Sequence, residues 1–335
     1  MSCSRNVRAV AASVWLKTLL IAGAMTLACG QVPAQGGQPA AAPRPANTPG
    51  APSSIFGTNL ALFDGTDQVI NSRATQQLLK GANVPMVRMP FRSGQGAAFE
   101  ERALEAIRYM DAIPVVIVHG LEDPSALTDD RQLIALVQRF FADTLVYVEL
   151  GNEQDLVDSN VMSYVNEWNR VVPVLKAMAP TYRFIGPAVS FPNTAFLATF
   201  TRLANPRPDA ISWHEYACHS QDSDATCLAY LAHWSAHVKS VNQAVQAALG
   251  TTLPIMITEW NLDDKLNARS ESPKFMREWT ARALQTLAKS RSEGVVAALQ
   301  YCAANNGNFN LVDSAASWTP QGQAFIQALP KGPPP

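Results

Sequence analysis

Along the chain, short apolar runs alternate with longer stretches of helical period. The runs are IFGTNLAL from Ile55, PMVRMPF from Pro85, PVVIVHG from Pro114, LVYVELGNE from Leu145, RFIGPAVSF from Arg183, AISWHEY from Ala210, LPIMITEWN from Leu253 and VVAALQYCA from Val295. Between them, residues 99–110, 131–141, 163–178, 228–249 and 274–290 carry apolar positions at helical spacing. Near-continuous Val, Ile and Leu, rather than strict alternation, marks strands covered on both faces, as in a parallel sheet. Eight such strands with helices between them, over the 275 residues from Ile55 to Leu329, predict a single-domain α/β fold, the (β/α)8 TIM barrel. A doubly wound sheet is the rival fold. It calls for a Gly-rich phosphate turn after the first strand, which Gly57-Thr58-Asn59-Leu60 does not supply.

The two ends of the chain read differently. Arg5, Arg8 and Lys17 precede an uncharged, mostly apolar run of eleven residues, Thr18 to Ala28. Eleven is short of the roughly twenty residues needed to span a bilayer and suits the apolar region of a signal peptide, here residues 1–29. Thr26-Leu27-Ala28-Cys29-Gly30 resembles a bacterial lipobox with Cys29 as the lipidated residue; an ordinary small-x-small cleavage site is the alternative. In residues 31–54, fifteen of 24 positions are Pro, Ala or Gly and the only charge is Arg44. Such a segment lacks the apolar surface to offset its ordering entropy, so residues 30–54 are expected to act as a linker. Residues 330–335 form a short Pro-rich tail. The expected location is outside the cytoplasm, either membrane-anchored as a periplasmic or cell-surface lipoprotein, or secreted.

Composition narrows the classes further. The 335 residues are 47% hydrophobic and 16% charged, which is globular. Without the three basic residues of the leader, 23 basic face 27 acidic residues, so no nucleic-acid footprint is visible. Cys218 and Cys227, nine apart in the polar stretch CHSQDSDATC, are expected to form a disulfide in an exported protein, with two free thiols as the alternative. Cys302 sits among apolar residues and reads as a small buried hydrophobe.

The specific signal is the polar residues that end the apolar runs. Arg88 closes the second, His119 the third, Asn152 and Glu153 the fourth, His214 and Tyr216 the sixth, and Glu259 the seventh. In a (β/α)8 barrel those positions share one rim, the face that carries active sites. Glu149 competes with Glu153, since period two puts it on the same face four residues earlier. Glu215, between two inward residues, should point away from the lumen. His233 and His237 stand at i, i+4 without an H-E-x-x-H arrangement and read as a solvated helix face. Trp168 reads as packing on an outer helix.

Together these residues resemble the large clan of retaining glycoside hydrolases built on (β/α)8 barrels, which includes cellulases, mannanases, β-xylosidases and β-galactosidases. The likeness runs from about Ile55 to Ala328 and is carried by Gly151-Asn152-Glu153, His214-Glu215-Tyr216 and Ile257-Thr258-Glu259-Trp260, with Arg88 and His119 at the clan's second- and third-strand positions. The segment 308–313 and Trp318-Thr319-Pro320 look like the last loop and helix start of several members. The clan's usual strand-eight Trp is missing, and Gln300-Tyr301 occupies that region.

The resemblance implies that Glu259 is the nucleophile and Glu153 the acid/base of a double displacement, for which two carboxyls about 5–5.5 Å apart are needed. It further implies that Arg88 and Tyr216 hold Glu259, that Asn152 donates to the sugar 2-hydroxyl, and that His119 and His214 support the site. Trp260, Tyr301 and Trp318 are expected to contact sugar, since aromatic faces at the rim can stack on sugar rings. The implied activity is hydrolysis of O-glycosidic bonds in a β-linked poly- or oligosaccharide. A carbohydrate is the expected partner, a membrane only through the lipid anchor, and the scheme calls for no metal or cofactor. The alternatives are a non-catalytic carbohydrate-binding or polysaccharide-assembly barrel, or a transglycosylase using the same intermediate.

Overall fold

In the computed structural model, which describes residues 54–330 apart from 124, 266 and 306, all eight apolar runs are strands. They are Phe56–Asn59 (β1), Met86–Met89 (β2), Ile113–Val118 (β3), Tyr147–Leu150 (β4), Arg183–Val189 (β5), Ala210–Tyr216 (β6), Ile255–Asn261 (β7) and Val295–Gln300 (β8). Each pairs in parallel with its neighbours in sequence, and β8 pairs with β1, so the sheet closes into a barrel. The helices are Gln68–Asn71 (α1), Arg73–Gly81 (α2), Ala97–Tyr109 (α3), Leu127–Phe141 (α4), Gln154–Val157 (α5), Val161–Met178 (α6), Thr194–Leu203 (α7), Asp224–Leu249 (α8), Pro273–Ser290 (α9) and Pro320–Gln327 (α10). Periodicity located α3, α4, α6, α8 and α9 but not α2 or α7. The side chains of Ser72 and Asn193 cap these two by accepting the main-chain N–H groups of Thr75 and Phe196. The signal peptide with Cys29, the linker up to residue 53 and the tail from residue 331 lie outside the described residues. Among the described residues, no helix is long and apolar enough to cross a membrane.

Two apolar cores form, and the boundary between them positions the site. The larger lies between the sheet and the helices and contains Trp168, Trp213 and Trp234. The smaller is built from strand residues alone: Met86, Val115, Ile185, Ala210, Met256, Ala297 and Leu299. These fill the barrel lumen as a packed layer. Two residues further along three of the strands, on the same face, the lumen turns polar: Met86 is followed by Arg88, Tyr147 by Glu149 and Met256 by Thr258. Outside the lumen, a disulfide joins Cys218, after β6, to Cys227 in the first turn of α8. Cys302 is buried and unpaired in a disulfide.

Candidate active site

The backbone turns sharply where β4 ends. Gly151 has φ 73° and Glu153 φ 48°, the left-handed region that costs a residue with a Cβ about 1–3 kcal/mol. Glu153 is held there by its N–H, which donates to the Ala188 carbonyl at 2.7 Å, while the Ala188 N–H donates to the Ser212 hydroxyl at 3.0 Å. Beneath the turn lies the buried Gln154 side chain. Its amide oxygen accepts the Leu121 N–H at 2.5 Å and its amide nitrogen donates to Glu122 and to the Asn152 carbonyl, both at 2.9 Å. A Cβ on Gly120 or on Gly151 would collide with that amide, so close approach dictates both glycines.

Arg88 organises the lumen. Its Nε donates to Glu149 Oε2 at 2.6 Å, Nη1 to Glu259 Oε1 at 2.6 Å and to Asn59 Oδ1 at 3.0 Å, and Nη2 to Asn152 Oδ1 at 2.6 Å. One buried cation thus ties the ends of β1, β2, β4 and β7 together. Glu149 is fully buried and also accepts the Thr258 hydroxyl at 3.0 Å. It is a fully buried partner of Arg88 rather than a rim carboxyl.

Glu259 accepts the Tyr216 hydroxyl at 2.8 Å on its other oxygen. Burial alone would push its carboxyl up, but the nearby His214 and Arg88 and the two hydrogen bonds outweigh it, so Glu259 lies below the usual glutamate range. Burial and the Glu259 charge raise the Tyr216 phenol, which keeps it a donor. Thr258 and Glu259 are consecutive yet both bond lumen groups, which strict alternation forbids. The pairing of β7 with β8 shifts register between Ile257 and Trp260, and such irregularities re-aim side chains at barrel rims.

His214 bridges the carboxyls. Its Nδ1 lies 3.1 Å from Glu153 Oε1 and 3.7 Å from Glu259 Oε2, and an oxygen of Glu153 comes within 4.8 Å of one of Glu259. Glu259 is nearly buried, whereas the Glu153 side chain is 33% exposed. A cavity of about 150 Å³ opens at Glu259, walled in part by Arg88, Asn152, His119, Tyr301 and Arg92. His119 bonds Asp130 through Nδ1 at 2.8 Å, and that bond raises the imidazole above its ordinary value.

The structure therefore brings together Arg88, His119, Asn152, Glu153, His214, Tyr216, Glu259 and Tyr301. Two expected sugar contacts do not arrive. Trp260 is fully buried outside the lumen, its ring 6.2 Å from Trp234 and 6.3 Å from Trp279. The register shift that turns Glu259 inward leaves Trp260 facing the helices. Trp318 packs against the outer core and pairs through its backbone with Val312, and it is not a wall of the cavity. Glu215 does point away from the lumen, where it is buried and bonded to Trp213 Nε1 at 2.9 Å and His237 Nδ1 at 3.0 Å. That pairing corrects the reading of His237 as solvated. Asn59, Thr258 and Gln154 were missed; as uncharged residues in or beside apolar runs they carry no signal until their partners are known.

Three groups of described residues bring candidate metal-ligand atoms within 4.8 Å of one another: Glu153, His214 and Glu259; Cys218, Asp222 and Cys227; and His219, Asp263 and Asp264. In the second, both sulfurs are committed to the disulfide. Chemically, the first group suits proton transfer and nucleophilic attack on either side of one bond.

No family model matches the chain, and no curated protein does. Solved structures do share its fold. A GH51 α-L-arabinofuranosidase from Thermotoga petrophila RKU-1 is 15% identical over 83% of this chain and 70% of its own, with a TM-score of 0.63. A GH39 β-xylosidase from Caulobacter crescentus is 15% identical over 83% and 71%, with a TM-score of 0.57. A GH5-4 endoglucanase from an uncultured bacterium is 12% identical over 82% and 93%, with a TM-score of 0.55. At these identities the likeness establishes the barrel.

Proposed function

We propose that the protein is a retaining glycosidase with Glu259 as nucleophile and Glu153 as acid/base. The observation that carries this reading is that one carboxyl oxygen of Glu153 lies within 4.8 Å of one of Glu259, with His214 Nδ1 between them at 3.1 Å and 3.7 Å. Retaining enzymes hold these groups about 5–5.5 Å apart, whereas inverting enzymes leave about 6.5–9.5 Å for a water. Glu259 attacks the anomeric carbon and forms a covalent glycosyl-enzyme while Glu153 protonates the departing oxygen. Glu153 then takes a proton from the water that attacks the same carbon and releases Glu259. The two environments suit these roles. Arg88 and Tyr216 keep Glu259 ionised and aimed, while Glu153 faces the solvent from which the attacking water arrives. Glycosidase activity in the fold neighbours supports the reading, as does a cavity beside the nucleophile. The proposed substrate is a β-linked poly- or oligosaccharide, met outside the cytoplasm by a protein tethered through a lipid on Cys29; the leader sequence supports that location.

The test is sugar release by the domain from about Ser53 onward on β-glucans, xylans, mannans, galactans and bacterial exopolysaccharides. Glu259→Gln and Glu153→Gln run beside the wild type, and each is expected to lose about 10³-fold or more in kcat. Activity surviving in Glu259→Gln would remove it as the nucleophile.

A further inference from the structure

Resting on the glycosidase reading, we propose that the sugar bound next to Glu259 carries a carboxylate, as a hexuronic acid does, and that Arg92 is the residue that selects it. Arg92 lies on the loop after β2 and walls the same cavity as Glu259. Its Nε donates to the Leu62 carbonyl at 3.0 Å and its Nη2 to the Ala61 carbonyl at 3.2 Å. Both acceptors are neutral backbone groups, and among the described residues no carboxylate lies within ion-pair distance of this guanidinium. Arg88, in the same cavity, has two carboxylates on it. A half-buried cation without a counter-charge is costly, and here the backbone fixes its orientation at the wall of the substrate cavity.

The nearby acids leave that charge largely in place. Glu100 accepts the Arg92 main-chain N–H at 2.7 Å, but burial pushes its carboxyl up to about 7, so near neutrality a large share of it is uncharged. Glu122, exposed at the rim, spends its oxygens on the Gly120 N–H and the Gln154 amide. The backbone uses Nε and one Nη2 proton, which leaves the Nη1 pair and the second Nη2 proton. That end of the guanidinium matches the two oxygens of a carboxylate. The cavity, about 150 Å³, is well below the roughly 300–1,000 Å³ of drug-sized sites. It suits one ring, which puts the acidic group on the sugar being cleaved.

The experiment compares 4-nitrophenyl glycosides in pairs that differ only at C6, hydroxymethyl against carboxylate, in the gluco, galacto, manno and ido series and both anomers. In parallel, the matching 2-deoxy-2-fluoroglycosyl fluorides are tested as covalent labels of Glu259 by intact-protein mass. For at least one pair the uronide is expected to exceed its neutral partner in kcat/KM by on the order of 10²-fold. Arg92→Gln is expected to bring that ratio close to one, mainly through KM, and Arg92→Lys to leave an intermediate ratio. Neutral sugars cleaved or trapped with no uronide preferred would overturn the inference and leave the glycosidase reading intact. A uronide preference that survives Arg92→Gln would overturn the role of Arg92. If no sugar of either kind is cleaved or labels Glu259, both readings fall.

Discussion

Replacing Arg88 with Met removes a cation from between two carboxylates while keeping much of the side chain's length. Glu149 is fully buried and the Glu259 side chain only 10% exposed, and each stands 2.6 Å from the guanidinium. Breaking one buried pair by deleting a partner costs about 3–5 kcal/mol. The two pairs share one cation and are coupled, so their costs do not simply add, and the expectation stays at about 3–5 kcal/mol at pH 7. At about 2–4 °C per kcal/mol for a domain near this size, Tm falls by roughly 6–20 °C. The pH dependence separates charge from packing. Glu259 is held below its ordinary value of 4.5, burial being outweighed by His214, Arg88 and the hydrogen bonds. A carboxyl lowered in the fold adds stability above its unfolded value, and that stability is lost as pH falls through the folded value. In Arg88→Met the orphaned Glu259 is relieved by protonation instead, so the penalty shrinks as pH falls from 7 to about 4. Arg88→Lys keeps the charge but cannot reach acceptors on four residues, and is expected to lose about half as much. Urea unfolding followed by tryptophan fluorescence at three pH values measures this. A penalty under about 1 kcal/mol at pH 7, or one that does not change with pH, would refute the assignment of Arg88 as the buried counter-charge.

Because Glu259 must be ionised to attack, the acid limb of kcat/KM is expected below 4.5 and should move up in Arg88→Met, as a pH–rate profile would read. Gly151→Ala drives a methyl into the Gln154 amide at a left-handed position; about 2–4 kcal/mol of stability and at least about tenfold in kcat should be lost, by melting and initial rates. Opening the Cys218–Cys227 bridge, nine residues apart, with reductant or Cys227→Ser should cost about 2–3 kcal/mol. A calorimetric melt unchanged by reductant would contradict that. Trp260→Phe should lower stability but leave the uronide-to-neutral ratio where it was, since the ring is sealed among Trp234 and Trp279.

The strands were legible because buried parallel strands leave apolar runs too short for helices and too continuous for a half-exposed sheet. The rim residues were legible because a charge that ends such a run has few structural uses. Trp260 shows where that reading stops. Nothing local to Ile257-Thr258-Glu259-Trp260 says that the alternation breaks there, because a register shift belongs to the pairing of two strands and not to either alone. Helices α2 and α7 were passed over for a different reason: at nine and ten residues their apolar faces repeat over fewer turns than those of the longer helices.

By itself the sequence determined the barrel and the strand ends, since buried parallel strands leave short apolar runs closed by polar residues; the roles of Glu153 and Glu259 were implied only by the resemblance those strand ends carry. Only the tertiary structure decided that Glu149 is a counter-ion, that Asn59 and Thr258 complete the polar layer, and that Arg92 is held at the cavity wall by backbone carbonyls rather than by a carboxylate. Those facts are distances between residues on different strands or loops. They follow from closure and register of the barrel, which no single stretch of chain encodes.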